Sequence, residues 1–203
     1  MPIMGPNGPM DPGAMDAGQM ANMPVDGFAG ATAGDMAAMP PQAMGGMNAD
    51  MMGNMPPEAM GGCTADHMGA CPPEAMGGMG PMHMEMMPPP AMAGMDQPMM
   101  EAMPPEAMAG MDQPMMEAMP PEAMGGMDAD MMGACPPEAM AGAYGDMMAA
   151  MPPEAIAGMD MSMLTQIPVE AVAEVDWANV PPEAMDAGIA AFKEALDLSL
   201  IHI

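Results

Sequence analysis

Sulfur and imidazole side chains are the groups in this sequence with the clearest capacity for chemistry. The chain of 203 residues contains 43 methionines, three cysteines and three histidines. Thioethers are soft ligands that favour Cu(I), and imidazole suits the same metal. Met51, His67, His83 and Met99 follow one another at equal intervals along the sequence. These four residues are the candidate metal ligands.

The interval of 16 residues between these side chains is the period of an internal repeat. PPEAM or a variant opens each repeat from Pro40 to Pro152. Each repeat divides into two related octads, for example PPEAMAGM and DQPMMEAM, which we term the first and the second octad. Twenty octads follow one another from Asp16 to Val175 without insertion or deletion. We number the residues of each octad from position 1 to position 8.

Positions 5 and 8 are apolar in all twenty octads and hold 29 of the 43 methionines. A separation of three residues places both side chains on one face of a helix, whereas a strand would place them on opposite faces. Ile156, Ile167 and Val175 occupy the same two positions. A position that accepts these hydrocarbon side chains selects for apolarity and not for sulfur. We therefore predict that most methionines pack in a core.

Helix signals recur in every repeat. Ala, Met, Glu and Gln favour helices over strands. Pro105 and its equivalents suit the first helical position, and the residue before each proline pair is driven to an extended conformation. Position 1 of several second octads is predicted to be an N-cap (Asp96, Asp112, Asp128, Asp160). Position 7 of the first octads is predicted to end the helix (Gly110, Gly126, Gly142, Gly158).

A helix within one octad is too short to be stable alone in water, so neighbouring octads must stack. The sequence predicts an all-α solenoid of very short helices, two per 16-residue coil, with positions 5 and 8 inside. A β-solenoid and a largely disordered chain are the alternatives. Residues 16–175 form the ten repeats, and residues 1–15 form an irregular lead-in. Residues 176–203 contain a degenerate repeat and a capping helix, although the last six or so resemble translated adapter DNA.

The candidate metal ligands all occupy position 4 of a second octad, where first octads have Ala. Stacking of the repeats predicts an exposed ladder of Met and His side chains that binds soft metal. Two partly exposed polar substitutions on one face are the alternative interpretation of His67 and His83. Exposed carboxylates at position 3 make Ca²⁺ a second candidate ion, although no calcium-binding loop is present.

The cysteines occupy position 8, which favours their use as small apolar side chains in the core. A disulfide between Cys63 and Cys71, or a contribution of these residues to a metal site, is the alternative. Cys135 lies far along the chain from both. No arrangement of Cys, His and acid typical of a catalytic nucleophile is present, and the sequence contains no other catalytic motif.

The net charge of −27, with Lys193 as the one basic residue, limits the partners. Nucleic acid is excluded, because nothing displaces the counterions of its phosphates. Cations or a basic protein remain as partners. No apolar run is long enough for membrane insertion, and the first residues lack the pattern of a signal peptide.

The octads resemble a known type of repeat. PPEAMAGM, followed by an octad with D-x-x-x-M-x-x-M, is similar to the arrays of PPEAF-x-GL and TPEQ-V-A-A-L units in large bacterial secreted or cell-surface proteins. The similarity covers residues 16–188, and the methionine content is where this chain departs from it. It implies a non-catalytic structural segment, with flanking domains in a longer polypeptide, located outside the cell or at its surface. A copper-binding protein is the alternative function.

Overall fold

The structure is a computed structural model that describes residues 3–172. The expected C-terminal capping helix lies outside these residues. Thirteen α-helices and eight 3-10 helices occupy the described part, together with two short strands. The α-helices are Ala17–Ala21, Ala33–Ala38, Ala49–Asn54, Ala65–Gly69, Pro81–Met86, Gln97–Glu101, Gln113–Ala118, Pro121–Met124, Ala129–Ala134, Gly145–Ala150, Pro153–Ala157, Met161–Leu164 and Val169–Val172. The 3-10 helices are Pro12–Ala14, Val25–Phe28, Pro41–Gly46, Pro57–Gly62, Pro73–Gly78, Pro89–Gly94, Pro105–Gly110 and Pro137–Gly142.

Each octad from Asp16 onward contains one of these short helices. Second octads form α-helices, and most first octads form 3-10 helices that begin at the second proline. The predicted N-caps are confirmed: the carboxylate of Asp112 accepts a hydrogen bond from the backbone N–H of Met115 at 2.9 Å. Asp96, Asp128 and Asp160 make the same bond three residues ahead. These bonds satisfy backbone donors that the helix itself leaves unpaired.

The helices stack into a solenoid, so the predicted fold class is confirmed. Helix Ala49–Asn54 packs against Pro73–Gly78, which packs in turn against Gln97–Glu101. The members of each of these pairs lie three octads apart, and the other packed helix pairs along the array have the same interval. Each repeat holds two helices, as predicted, but one turn of the solenoid takes three octads and not two. The solenoid therefore has three sides, and these sides enclose an interior. Two stacked layers of such short helices would enclose none.

The odd number of octads per turn makes unlike octads neighbours. A helix from a first octad lies between helices from two second octads along each side of the solenoid. Position 4 therefore alternates between large and small side chains, as in the series Met51, Ala75, Met99. Each of these three side chains is at most 1% exposed. Alternation of large and small residues lets stacked layers interdigitate without voids.

The core is one continuous cluster that runs through the described residues. Positions 5 and 8 lie in it, as the helical spacing predicts: Met108 and Met116 are 0% exposed, and Met111 and Met119 are 3% and 1% exposed. Met supplies most of this core because its unbranched side chain adapts to irregular gaps. None of the helices within residues 3–172 is long and apolar enough to cross a membrane.

Helices of the first octads end at or beside position 7, as predicted, for example at Gly110 and Gly142. None of these glycines has a positive φ, which within residues 3–172 only Gly8 has, so a second reason requires glycine here. A Cβ on Gly78 would lie 2.8 Å from the backbone nitrogen of Gly53 and closer still to the carbonyl oxygen of Ala49. Equivalent positions meet the second-octad helix below in the same way (Gly46, Gly62, Gly94, Gly110, Gly126, Gly142, Gly158). Close helix approach therefore requires glycine here.

The segment predicted as an irregular lead-in is a packed N-terminal cap from residue 3 onward. Strands Met4–Gly5 and Gly8–Pro9 pair as an antiparallel hairpin, and the first of them packs against helix Val25–Phe28. Ile3 and Met15 are 1% and 3% exposed. This segment covers apolar residues of the first solenoid turn, as the capping segments of solenoids do.

Candidate metal site

The four candidate ligands are buried, so the prediction of an exposed ladder is wrong. Met51 and Met99 are 0% and 1% exposed, and His67 and His83 are 3% and 8% exposed. Position 4 precedes position 5 and lies one helical turn before position 8, which places it beside both core positions. Sequence reasoning missed it as a third core position. The signal was present, because position 4 is Ala, Met or His in every octad from Pro40 onward.

The solenoid does not bring the four residues together. Helix Pro73–Gly78 separates the helices that carry Met51 and Met99, which lie two turns apart on one side. The helix of His67 packs between Pro41–Gly46 and Pro89–Gly94 on another side. The helix of His83 packs between Pro57–Gly62 and Pro105–Gly110 on the third side. The ladder assumed two octads per turn, and three octads per turn distribute its members around the solenoid.

Both ring nitrogens of His67 are bonded to the backbone. The backbone N–H of Thr64 donates to Nδ1 at 3.1 Å, so Nδ1 carries no hydrogen. Nε2 lies 2.8 Å from the carbonyl oxygen of Met39, which only accepts, so Nε2 donates its hydrogen. The tautomer with the hydrogen on Nε2 makes both bonds. The ring thus joins the start of its own helix to a corner of the solenoid one turn earlier.

His83 makes the equivalent bonds in the next repeat. The backbone N–H of Gly80 donates to Nδ1 at 3.1 Å, and Nε2 donates to the carbonyl oxygen of Met55 at 2.9 Å. A metal ion therefore has to displace a backbone hydrogen bond before either imidazole can bind it. Within the described part of the chain, no group of three or more His, Cys, Asp or Glu side chains is placed to hold a metal ion.

Tyr144 bonds to the same class of carbonyl group. Its hydroxyl donates to the carbonyl oxygen of Met119 at 3.1 Å. Met119, like Met39 and Met55, is the residue before a proline pair. Three polar side chains thus bridge successive turns by bonding to pre-proline carbonyls, and no buried side-chain nitrogen or oxygen within residues 3–172 lacks a partner. These groups act as structural bridges between turns.

Comparison of the chain with protein-family models, with the curated proteins and with the solved structures finds no significant match.

The imidazole bonds predict the outcome of a metal titration. We expect the His67→Ala, His83→Ala variant to bind Cu(I) with the affinity of the parent chain, because neither imidazole offers a free lone pair. Alanine is the replacement because it adds no metal ligand and occupies position 4 of the first octads from Pro40 onward. Competition with a chromophoric Cu(I) chelator measures the affinity. A variant that binds Cu(I) about 10-fold more weakly would assign the imidazoles to a metal site after all.

The three cysteines lie in the core as free thiols, at 3–5% exposure. Burial raises the pKa of each thiol from 9.0 to about 12. The charge of Cys63 adds to this effect at Cys71, and that of Glu138 adds to it at Cys135. Cys63 and Cys71 do not form the disulfide that was the alternative interpretation. The prediction that the thiols fill small apolar sites is in accord with their burial.

These raised pKa values predict loss of stability at high pH. The unfolded chain releases thiol protons above pH 9.0, whereas the folded chain retains them until about pH 12. The contribution of each thiol is therefore complete below pH 9 and is lost as the pH rises toward 12, by at most about 1.4 kcal/mol per pH unit. Urea unfolding at a series of pH values measures it. The control is the triple Cys→Ala variant, because Ala31 and Ala143 also occupy position 8. Equal pH slopes for the two proteins would contradict the prediction.

The acidic side chains at position 3 stand in water. All are exposed, in first octads (Glu58, Glu74, Glu106, Glu122, Glu138, Glu154, Glu170) and in second octads (Asp50, Asp66, Asp130, Asp146). They lie in the first helical turn, where negative charge interacts favourably with unpaired N–H groups. Ca²⁺ needs several oxygen ligands around one point. Single carboxylates distributed over three sides do not supply them.

Proposed function

We propose that this chain is a non-catalytic structural repeat segment that serves as a spacer, stalk or interaction scaffold. The observation that carries the proposal is the uniform stacking of unlike octads, each on the third octad before it. Each solenoid turn contacts only the turns before and after it, so the number of repeats sets the length of the array. The imidazoles of His67 and His83 and the hydroxyl of Tyr144 bond to the backbone of other turns, as expected of side chains that hold a scaffold together.

The resemblance supports a role outside the cell, and the negative charge supports a cationic partner. The resemblance to repeat arrays of secreted and surface proteins favours a segment that separates or displays flanking domains. The charge of −27 keeps such arrays apart from one another and from anionic membrane surfaces. Basic proteins or cations are the partners that this charge attracts. This electrostatic attraction weakens as the salt concentration rises.

Repeat deletion and duplication test the role as a spacer. Residues 96–111 and 112–127 are near copies, so deletion of 96–111 joins matching octads. The two octads of a repeat are two thirds of a solenoid turn. With stacked helices about 9 Å apart, the deletion shortens the solenoid by about 6 Å and duplication lengthens it by the same amount. Small-angle X-ray scattering measures the maximum dimension. A dimension that is independent of repeat number would refute the spacer role.

A further inference from the structure

Met82 and Met86 are exceptions to the packing that accounts for most methionines within residues 3–172. Thirty-six methionine side chains of the described part are buried, whereas Met82 is 65% exposed and Met86 is 43% exposed. Met4, in the N-terminal hairpin, is the other exposed methionine among the described side chains, at 44%. Both Met82 and Met86 belong to helix Pro81–Met86, four residues apart, and therefore lie on one outward face of it.

Core packing does not explain these two residues. Met82 occupies position 3 and Met86 occupies position 7 of their octad. In the other second octads from Asn48 onward, position 3 is Asp, Pro or Ser and is exposed, and position 7 is Asn, Ala or Gln and is exposed or partly exposed. Apolar area left in water contributes nothing to folding. What distinguishes Met from those residues at an exposed site is the thioether sulfur.

An exposed thioether reacts with hydroperoxides. A lone pair of the methionine sulfur attacks the distal oxygen of the peroxide, an S–O bond forms and the O–O bond breaks. The sulfur loses two electrons and becomes a sulfoxide. The departing oxygen of the peroxide takes up the proton of the distal oxygen and leaves as water or alcohol. The oxidant is the only co-reactant. Methionine sulfoxide reductases reverse the modification.

Thiols usually compete for such oxidants, but here they are protected. The reactive form of cysteine is the thiolate, and oxidation follows thiolate character and exposure. Cys63, Cys71 and Cys135 are buried in the core, and their raised pKa values keep them protonated at neutral pH. The ordinary order of sulfur reactivity is therefore inverted in this chain.

We propose that Met82 and Met86 form a sulfoxide modification site, which hydroperoxides oxidise before the cysteines and before the methionines of the core. Oxidation at this site leaves the fold intact, because the polar sulfoxide oxygens face water. Oxidation of a core methionine has the opposite effect, since it places a polar oxygen among apolar side chains. The solenoid thus carries an oxidant-accepting patch on a scaffold that the same oxidant reaches slowly.

Site-resolved oxidation of the folded chain tests the proposal. Hydrogen peroxide is added, the reaction is quenched at intervals, and cleavage before Asp66 and Asp96 releases one peptide with both exposed residues and the buried Met84 and Met87. We expect sulfoxide to form at Met82 and Met86 at least about 10-fold faster than at Met84 and Met87, with thiol content and circular dichroism unchanged. In guanidinium chloride the four rates become equal.

Two results would overturn the proposal: equal rates at the four residues in the folded chain, or oxidation of the thiols before Met82 and Met86. The Met82→Leu, Met86→Leu variant keeps the outer face apolar without the sulfur. It is expected to take up two fewer oxygen atoms in the fast phase and to keep the parent spectrum. An unchanged fast phase in this variant would assign the reaction to other residues.

Discussion

Gly78→Ala is expected to lower the free energy of unfolding by about 3 kcal/mol, whereas Gly77→Ala leaves it unchanged or raises it by up to about 1 kcal/mol. The two glycines are adjacent in helix Pro73–Gly78 and differ in what surrounds them. A Cβ on Gly78 would overlap the carbonyl group of Ala49 in the helix below. A Cβ on Gly77 would lie 3.7 Å from its nearest neighbours, at ordinary contact distance.

The pair is a matched comparison, because both substitutions improve helix propensity by the same amount. The obstacle at Gly78 is backbone, which cannot move aside without separating two turns of the solenoid. Urea unfolding monitored by circular dichroism measures both variants. Helix Pro73–Gly78 ends at this glycine, but the φ of Gly78 is not positive, so only the clash with Ala49 distinguishes the two variants. Equal stability of the two variants would contradict the close approach of the two helices.

The short helices and most of the core could be predicted from the sequence. Position 5 and position 8 obey a helical spacing, and the N-cap at Asp112 depends on residues within a few positions of it. Local chemistry of this kind can be deduced without knowledge of the fold. The packed N-terminal cap could not be deduced in this way. Burial of Ile3 depends on how residues 3–15 pack against the first solenoid turn, which is a property of the assembled array.

The number of octads per turn could not be deduced from the residues of an octad alone, for a physical reason. A repeat of two octads suggests that like octads stack, and nothing within one octad tells which other octad lies beside it. The candidate ligands His67 and His83 depended on that unknown, since they share a side only if two octads complete a turn. The clue available was at position 4. Alternation of Ala with Met or His suits the stacking of unlike octads and serves no purpose when like octads meet.

Deletion of a single octad therefore has a much larger expected effect than deletion of two. Removal of residues 96–103 reverses the order of first and second octads at one point, and like octads then meet in the three stacked pairs that span it. Ala118 takes the place of Gly110 above Pro81, where a Cβ would overlap the carbonyl group. On the next side Ala75 faces Ala107, and the space that Met99 occupied is left empty.

Overpacking costs about 1–3 kcal/mol, and a void of the size of a methionine side chain costs about 2–5 kcal/mol. We expect the single-octad deletion to lose about 5 kcal/mol of stability and to unfold in two separate transitions, one for each side of the junction. Deletion of residues 96–111 removes more core but keeps unlike octads in contact, so a single transition near the parent midpoint is expected. Differential scanning calorimetry distinguishes the two patterns. Equal destabilisation by both deletions would mean that the stacked pairs do not discriminate between octads, and the three-octad turn would then have no structural basis.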